Sequence, residues 1–103
     1  MKASIASKKF SSIYGDSIVI KTSQISYRVS SNNSFGLSVV VRRRLGPALK
    51  RNLFKRRIRA LYNDFLIKKE KKITMIIIPK TINLGWIDIK SSFELMLKKI
   101  NDI

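Results

Sequence analysis

The run Gly46-Pro47-Ala48-Leu49-Lys50-Arg51-Asn52-Leu53-Phe54-Lys55-Arg56-Arg57-Ile58-Arg59 holds a helix start, an apolar stripe and a cationic face within fourteen residues. Gly-Pro marks a turn. Pro suits the first helical position because its missing N–H would have no intrahelical partner there. At about 100° per residue, Leu53, Phe54, Ile58, Leu61 and Phe65 fall on one side of the helix, with Leu49 at the edge of that stripe. Arg51, Lys55 and Arg59 form a row at i, i+4 and i+8 on the far side, and Asn52 and Arg56 lie in the neighbouring row. Lys50 and Arg57 fall nearer the apolar half, where their stems pack and their charged ends reach water. The pattern predicts a helix from this turn to about Lys69.

Charge is concentrated in and just before this helix. Residues 42 to 59 carry Arg42, Arg43, Arg44, Lys50, Arg51, Lys55, Arg56, Arg57 and Arg59, and no acid. Seven of the eight Arg lie here, whereas 12 of the 14 Lys lie elsewhere. Arg grips phosphate through a planar fork, while Lys is a solvated point charge. The segment therefore reads as a phosphate-binding face, against the plainer reading of a solvated basic surface. Like charges at i, i+4 destabilise an isolated helix by about 0.2–0.5 kcal/mol per pair, and packing does not require cations at these positions. A polyanion supplies the missing counter-charge. Asn52 brings both a donor and an acceptor, and suits either a nucleotide contact or a local structural hydrogen bond.

Working outward, Ile5 to Tyr14 reads as a short helix, with Ala6, Phe10, Ile13 and Tyr14 on one face. Ser17 to Lys21 and Gln24 to Ser30 read as strands, the second alternating Ile25, Tyr27 and Val29 with Ser26, Arg28 and Ser30. Ser31 to Ser34 contains Asn-Asn and reads as a hairpin turn. Phe35 to Arg43 reads as a strand entering the basic segment. Ile73 to Ile78 is a continuous apolar run, which suits a central strand covered on both faces, and Pro79 ends it. Asp88 reads as the cap of a last helix carrying Ile89, Phe93, Met96, Leu97 and Ile100. The order αβββαβα predicts an α+β sandwich, a four-stranded sheet with three helices, in a single domain over residues 1–103. Phe10, Tyr14 and Tyr27 suit either core packing or the stacking of single-stranded bases.

Composition narrows the function. The chain has 103 residues and a net charge of +16, with no Cys and no His. That removes disulfide scaffolds, zinc sites, and every nucleophile or acid–base scheme built on thiol or imidazole. The carboxylates Asp16, Asp64, Glu70, Asp88, Glu94 and Asp102 are scattered, with no pair spaced for metal or glycosidic chemistry. No catalytic residue and no protein-held metal are expected. The chain has no apolar run of signal-peptide or membrane-spanning length, so it reads as cytoplasmic. A compact basic domain points to nucleic acid before a membrane surface.

The fourteen-residue run closely resembles the signature of the bacterial ribonuclease P protein subunit, A-V-x-R-N-x-x-K-R-x-x-R. Ala48, Arg51, Asn52, Lys55, Arg56 and Arg59 match it, and Leu49 replaces Val. Phe10-x-x-Ile13-Tyr14 resembles the F-x-x-V-F pattern of the family's first helix. Arg43-Arg44-Leu45-Gly46 is similar to its K-K-V-G lead-in, and Ile76-Ile77-Ile78-Pro79 to its I-I-A-R-P strand end.

The resemblance implies an auxiliary subunit of the endoribonuclease that removes the 5′ leader of precursor tRNA. The RNA subunit would hold the active site and its Mg²⁺, with one protein per RNA and no cofactor on the protein. Arg51, Asn52, Lys55, Arg56 and Arg59, with Arg43 and Arg44, would dock on that RNA. Phe10, Tyr14 and Tyr27 would face the single-stranded leader in a cleft beside the sheet. The resemblance also implies a left-handed strand–helix–strand crossover, against the general rule. A ribosomal or other structural RNA-binding protein is the alternative. DNA and membrane partners are not expected.

Overall fold

The structure is a computed structural model and describes residues 17–31 and 34–101. Four strands, β1 (Ile18–Lys21), β2 (Ile25–Ser30), β3 (Gly36–Val39) and β4 (Thr74–Pro79), form one sheet in the order β1-β2-β4-β3. β1 with β2 and β2 with β4 are antiparallel, whereas β3 with β4 is parallel. Two α-helices, α1 (Ala48–Tyr62) and α2 (Trp86–Asn101), complete the described elements. The helix read over Ile5 to Tyr14 lies outside the described residues.

The run Ile73 to Ile78 is central, as its composition requires: Thr74 to Ile77 are buried, and β4 has a strand on either side. That placement overturns the hairpin read at Ser31 to Ser34. β4 lies between β2 and β3, so those two strands do not pair with each other and form no hairpin. The hairpin is at Thr22-Ser23-Gln24, where the Thr22 N–H donates to the Ile25 carbonyl at 2.9 Å. The strand read over Phe35 to Arg43 is also shorter. It ends at Val39, and residues Arg43–Leu45 wind into a 3-10 turn.

One face of the sheet carries the core. Ile25, Tyr27 and Val29 of β2 and Met75 and Ile77 of β4 meet Phe54, Ile58 and Leu61 of α1 and Ile89, Phe93 and Met96 of α2. Leu49 is 84% exposed and does not join the stripe. Tyr62, unassigned by the wheel, is buried. Its hydroxyl accepts from the Gly36 N–H at 2.9 Å and donates to the Ile73 carbonyl at 2.6 Å, joining α1 to the starts of β3 and β4. Gly36 is needed here for close approach, since a Cβ would sit 2.9 Å from Thr74 Cγ2.

The helix read to Lys69 keeps its extent but changes its winding. After Tyr62 it continues as a π turn, Asn63–Ile67, with the Lys68 N–H donating to the Asn63 carbonyl. It closes in a Schellman turn. Lys71 N–H donates to Leu66 O, Glu70 N–H donates to Ile67 O, and Glu70 takes φ 55. A glycine suits that left-handed position better. Glu70→Gly is expected to raise stability by up to about 1 kcal/mol, read as a higher urea midpoint. An unchanged or lower midpoint would show that the turn carries no strain. Asp88 is not the cap residue but the third residue of α2. From there its Oδ2 accepts from the Gly85 N–H at 3.1 Å, half of a capping box.

Candidate nucleic-acid interface

α1 presents the cations where the wheel put them. Phe54, Ile58 and Leu61 anchor the helix to the core, so the opposite side faces water. Asn52, Arg56 and Arg59 are exposed, and Arg51 and Lys55 are half-buried. Arg51 also serves the local structure, since its Nε donates to the Gly46 carbonyl at 3.0 Å and ties the turn to the helix. Its terminal nitrogens extend beyond that bond and keep fork geometry for an anion. Arg43 and Arg44 are exposed on the 3-10 turn just ahead. The elements thus bring all seven sequence-assigned basic and polar residues onto one helix face and the turn that leads into it. Lys50 is exposed and Arg57 half-buried, and both line a cleft of about 250 Å³ with Leu53, Phe54 and Ile82.

A second feature is the sheet face turned away from α1 and α2. Strand register puts Val19, Lys21, Ser26, Arg28, Ser38, Ile76 and Ile78 on it. Val19 and Ile78 are 46% and 40% exposed on it, whereas Ile76 is buried. At one end of this face lies a cleft of about 300 Å³, lined by Lys21, Arg42, Arg44 and Lys80 together with Leu45 and Ile78. Four cations over apolar side chains suit a strand that offers phosphates outward and bases inward. Only Arg44 of the four was assigned from sequence. Lys21 and Lys80 come together because β1 ends and β4 ends at the same edge of the sheet, and the Lys80 N–H donates to the Gln24 carbonyl. That juxtaposition depends on strand order, which carries no local signal.

Tyr27 lies on the other face, and here the sequence expectation is corrected. It is fully buried, its ring edge-on to Phe93 at 6.1 Å and its hydroxyl 2.8 Å from Ser92 Oγ. Ser92 Oγ also lies 2.7 Å from Thr22 Oγ1. The alternation of β2 makes Tyr27 share a face with Ile25 and Val29, so its ring offers no surface for a base. Arg28, like Ser26, is on the open side of β2, and its Nη1 donates to Ser17 Oγ at 3.4 Å. Phe10 and Tyr14 lie outside the described residues.

Burial pushes the Tyr27 phenol up to about 12, with the Ser92 hydrogen bond a smaller opposing influence. A raised folded pKa stabilises the fold below the unfolded value near 10, and that contribution is lost as pH climbs through 12. The loss is worth about 2–3 kcal/mol. Tyr62 is raised in the same direction by its own burial. Urea midpoints for the parent and Tyr27→Phe are expected to diverge above about pH 10, the parent falling more steeply. Parallel decline would remove Tyr27 from this account.

Among the described residues no three carboxylates gather to hold a metal, and no helix is long and apolar enough to cross a membrane. Residues 5–101 match the family described as Ribonuclease P. The ribonuclease P protein component of Mycoplasmopsis pulmonis (strain UAB CTIP) is 26% identical over 96 residues, covering 91% of this chain and 86% of that protein. The solved Staphylococcus aureus RNase P protein superposes with a TM-score of 0.75 at 24% identity, over 93% of this chain and 92% of its own. The Thermotoga maritima RNase P protein does so with a TM-score of 0.72 at 18% identity, over 93% and 96%. These last two likenesses speak for the fold. With the family match spanning nearly the whole sequence, the chain belongs to the ribonuclease P protein family.

Proposed function

We propose that this chain is the protein subunit of a ribonucleoprotein that removes the 5′ leader from precursor tRNA. The observation that carries the reading is the α1 face, where Arg51, Asn52, Lys55, Arg56 and Arg59 stand opposite the buried stripe in a chain of this family. That face, with Arg43 and Arg44, docks on the RNA subunit. The open sheet face takes the leader. Its exposed Val19 and Ile78 and its cleft of four cations suit an unpaired strand of varied sequence. Phe10 and Tyr14 contribute rings that stack on its bases. The link from β3 through α1 to β4 is a left-handed crossover.

Phosphodiester hydrolysis belongs to the RNA subunit and its Mg²⁺. The protein's residues bind and orient: Arg forks hold phosphates, and the sheet face fixes the leader relative to the cut. One protein acts per RNA, in the cytoplasm. The test is cleavage of precursor tRNA by a bacterial ribonuclease P RNA at a few millimolar Mg²⁺, with and without this chain. Stimulation that depends on the 5′ leader is expected. Tight RNA binding without stimulation would leave a general RNA-binding protein, as in the ribosome.

A further inference from the structure

We propose that the turn at residues 68–72 is a second RNA-backbone site, at the opposite end of the long helix from the arginine turn. The proposal rests on the RNA-binding reading above. Lys68, Lys69, Lys71 and Lys72 are all exposed and surround one acid, Glu70. The negative end of a helix dipole accounts for a cation or two in its last turn. Lys71 and Lys72 lie beyond that turn, and packing calls for neither.

The backbone beneath these lysines is fixed by the two Schellman hydrogen bonds and the left-handed Glu70. Lys69 is steadied further: its Nζ stands 5.4 Å from the centre of the Phe65 ring, which packs 6.0 Å from Phe93 in the core. Lys68 pairs with Asp64 at 3.2 Å, but both side chains are more than half exposed, so a phosphate can exchange with the carboxylate at little cost. The ammonium groups therefore leave from a rigid base, and less conformational freedom is lost on binding than for a mobile loop.

Distance decides what the turn can reach. The helical run from Ala48 through Ile67 spans about 30 Å, comparable with the longest dimension of the molecule, 34 Å. A strand segment docked at the first turn of α1 does not also meet residues 68–72 unless it runs the length of the helix. Arg59, the last residue of the α1 dock, precedes Lys68 by nine residues, about 14 Å along the axis, so the lysine turn extends the grip beyond that face to the far end of the helix. The residue type sets the chemistry. Lys contacts phosphate as a point charge and reads no base, so this site recognises backbone without sequence preference.

The chain has no Cys, so single tethers are simple to install. Glu70→Cys and, separately, Ala48→Cys each carry an iron chelate that cuts nearby RNA backbone, in complex with a bacterial ribonuclease P RNA. The proposal expects cuts from position 70 at RNA sites distinct from those cut from position 48. It also expects Lys68, Lys69, Lys71 and Lys72 changed together to Gln to flatten the salt dependence of binding by about 3 in log–log slope. No cuts from position 70, or an unchanged slope, overturns the second site while cuts from position 48 keep the RNA-binding reading intact. Silence from both tethers would remove that reading itself.

Discussion

Changing Lys55, Arg56 and Arg59 together to Ala is expected to weaken binding to ribonuclease P RNA by more than about 100-fold at 0.1 M salt. Each phosphate contact adds about 0.7–0.9 to the log–log salt slope, so three lost contacts flatten it by about 2–3. The fold should survive. Arg56 and Arg59 are exposed, Lys55 is half-buried, and Ala is the strongest helix former. Removing like charges one turn apart relieves repulsion as well. Loss of binding in this variant therefore reports contact and not unfolding. Arg51 is left in place because its bond to the Gly46 carbonyl gives it a structural share. Equilibrium binding measured across a salt series checks the result, and an unchanged slope would remove the α1 face as the dock.

Phe93→Ala is expected to cost about 3–5 kcal/mol of stability. Phe93 is fully buried and links two aromatic partners, Tyr27 edge-on at 6.1 Å and Phe65 tilted at 6.0 Å. Truncation leaves a hole between the sheet and α2 and forfeits both ring contacts, each worth about 0.5–1.5 kcal/mol. A domain of this size has only about 5–15 kcal/mol in total, so the variant stands near the edge of folding. Urea unfolding followed by circular dichroism checks the loss. A cost below about 1 kcal/mol would mean that the neighbouring rings collapse into the space.

The α1 face was legible because helical periodicity is local. The spacing of Leu, Phe, Ile and Arg within one segment sorts inside from outside without knowledge of the rest of the chain. β4 was legible for a similar reason, since a short run as apolar as Ile73 to Ile78, ended by Pro79, suits a strand covered on both faces. What failed was long-range. Nothing near Ser31 to Ser34 says that β4 will enter between β2 and β3, because that outcome is decided by a strand far along the chain. Tyr27 misled for a different reason. Its alternation with Ser26 and Arg28 already put it with Ile25 and Val29 on the apolar face, and only the resemblance moved its ring to the leader cleft. The cleft of Lys21, Arg42, Arg44 and Lys80 was hidden as the strand order was, being assembled from three separate parts of the chain.

The π turn after Tyr62 has a consequence for how this sequence can change length. A π turn closes its hydrogen bond over one residue more than an α turn, so it stores a single-residue insertion inside a continuous helix. Deleting one residue between Asn63 and Ile67 would return the segment to ordinary winding. Because the wide turn absorbs the extra residue, the cationic face before it and the lysine turn beyond it would keep their mutual orientation. The two cationic ends of the helix can therefore stay in phase while the chain gains or loses a residue between them.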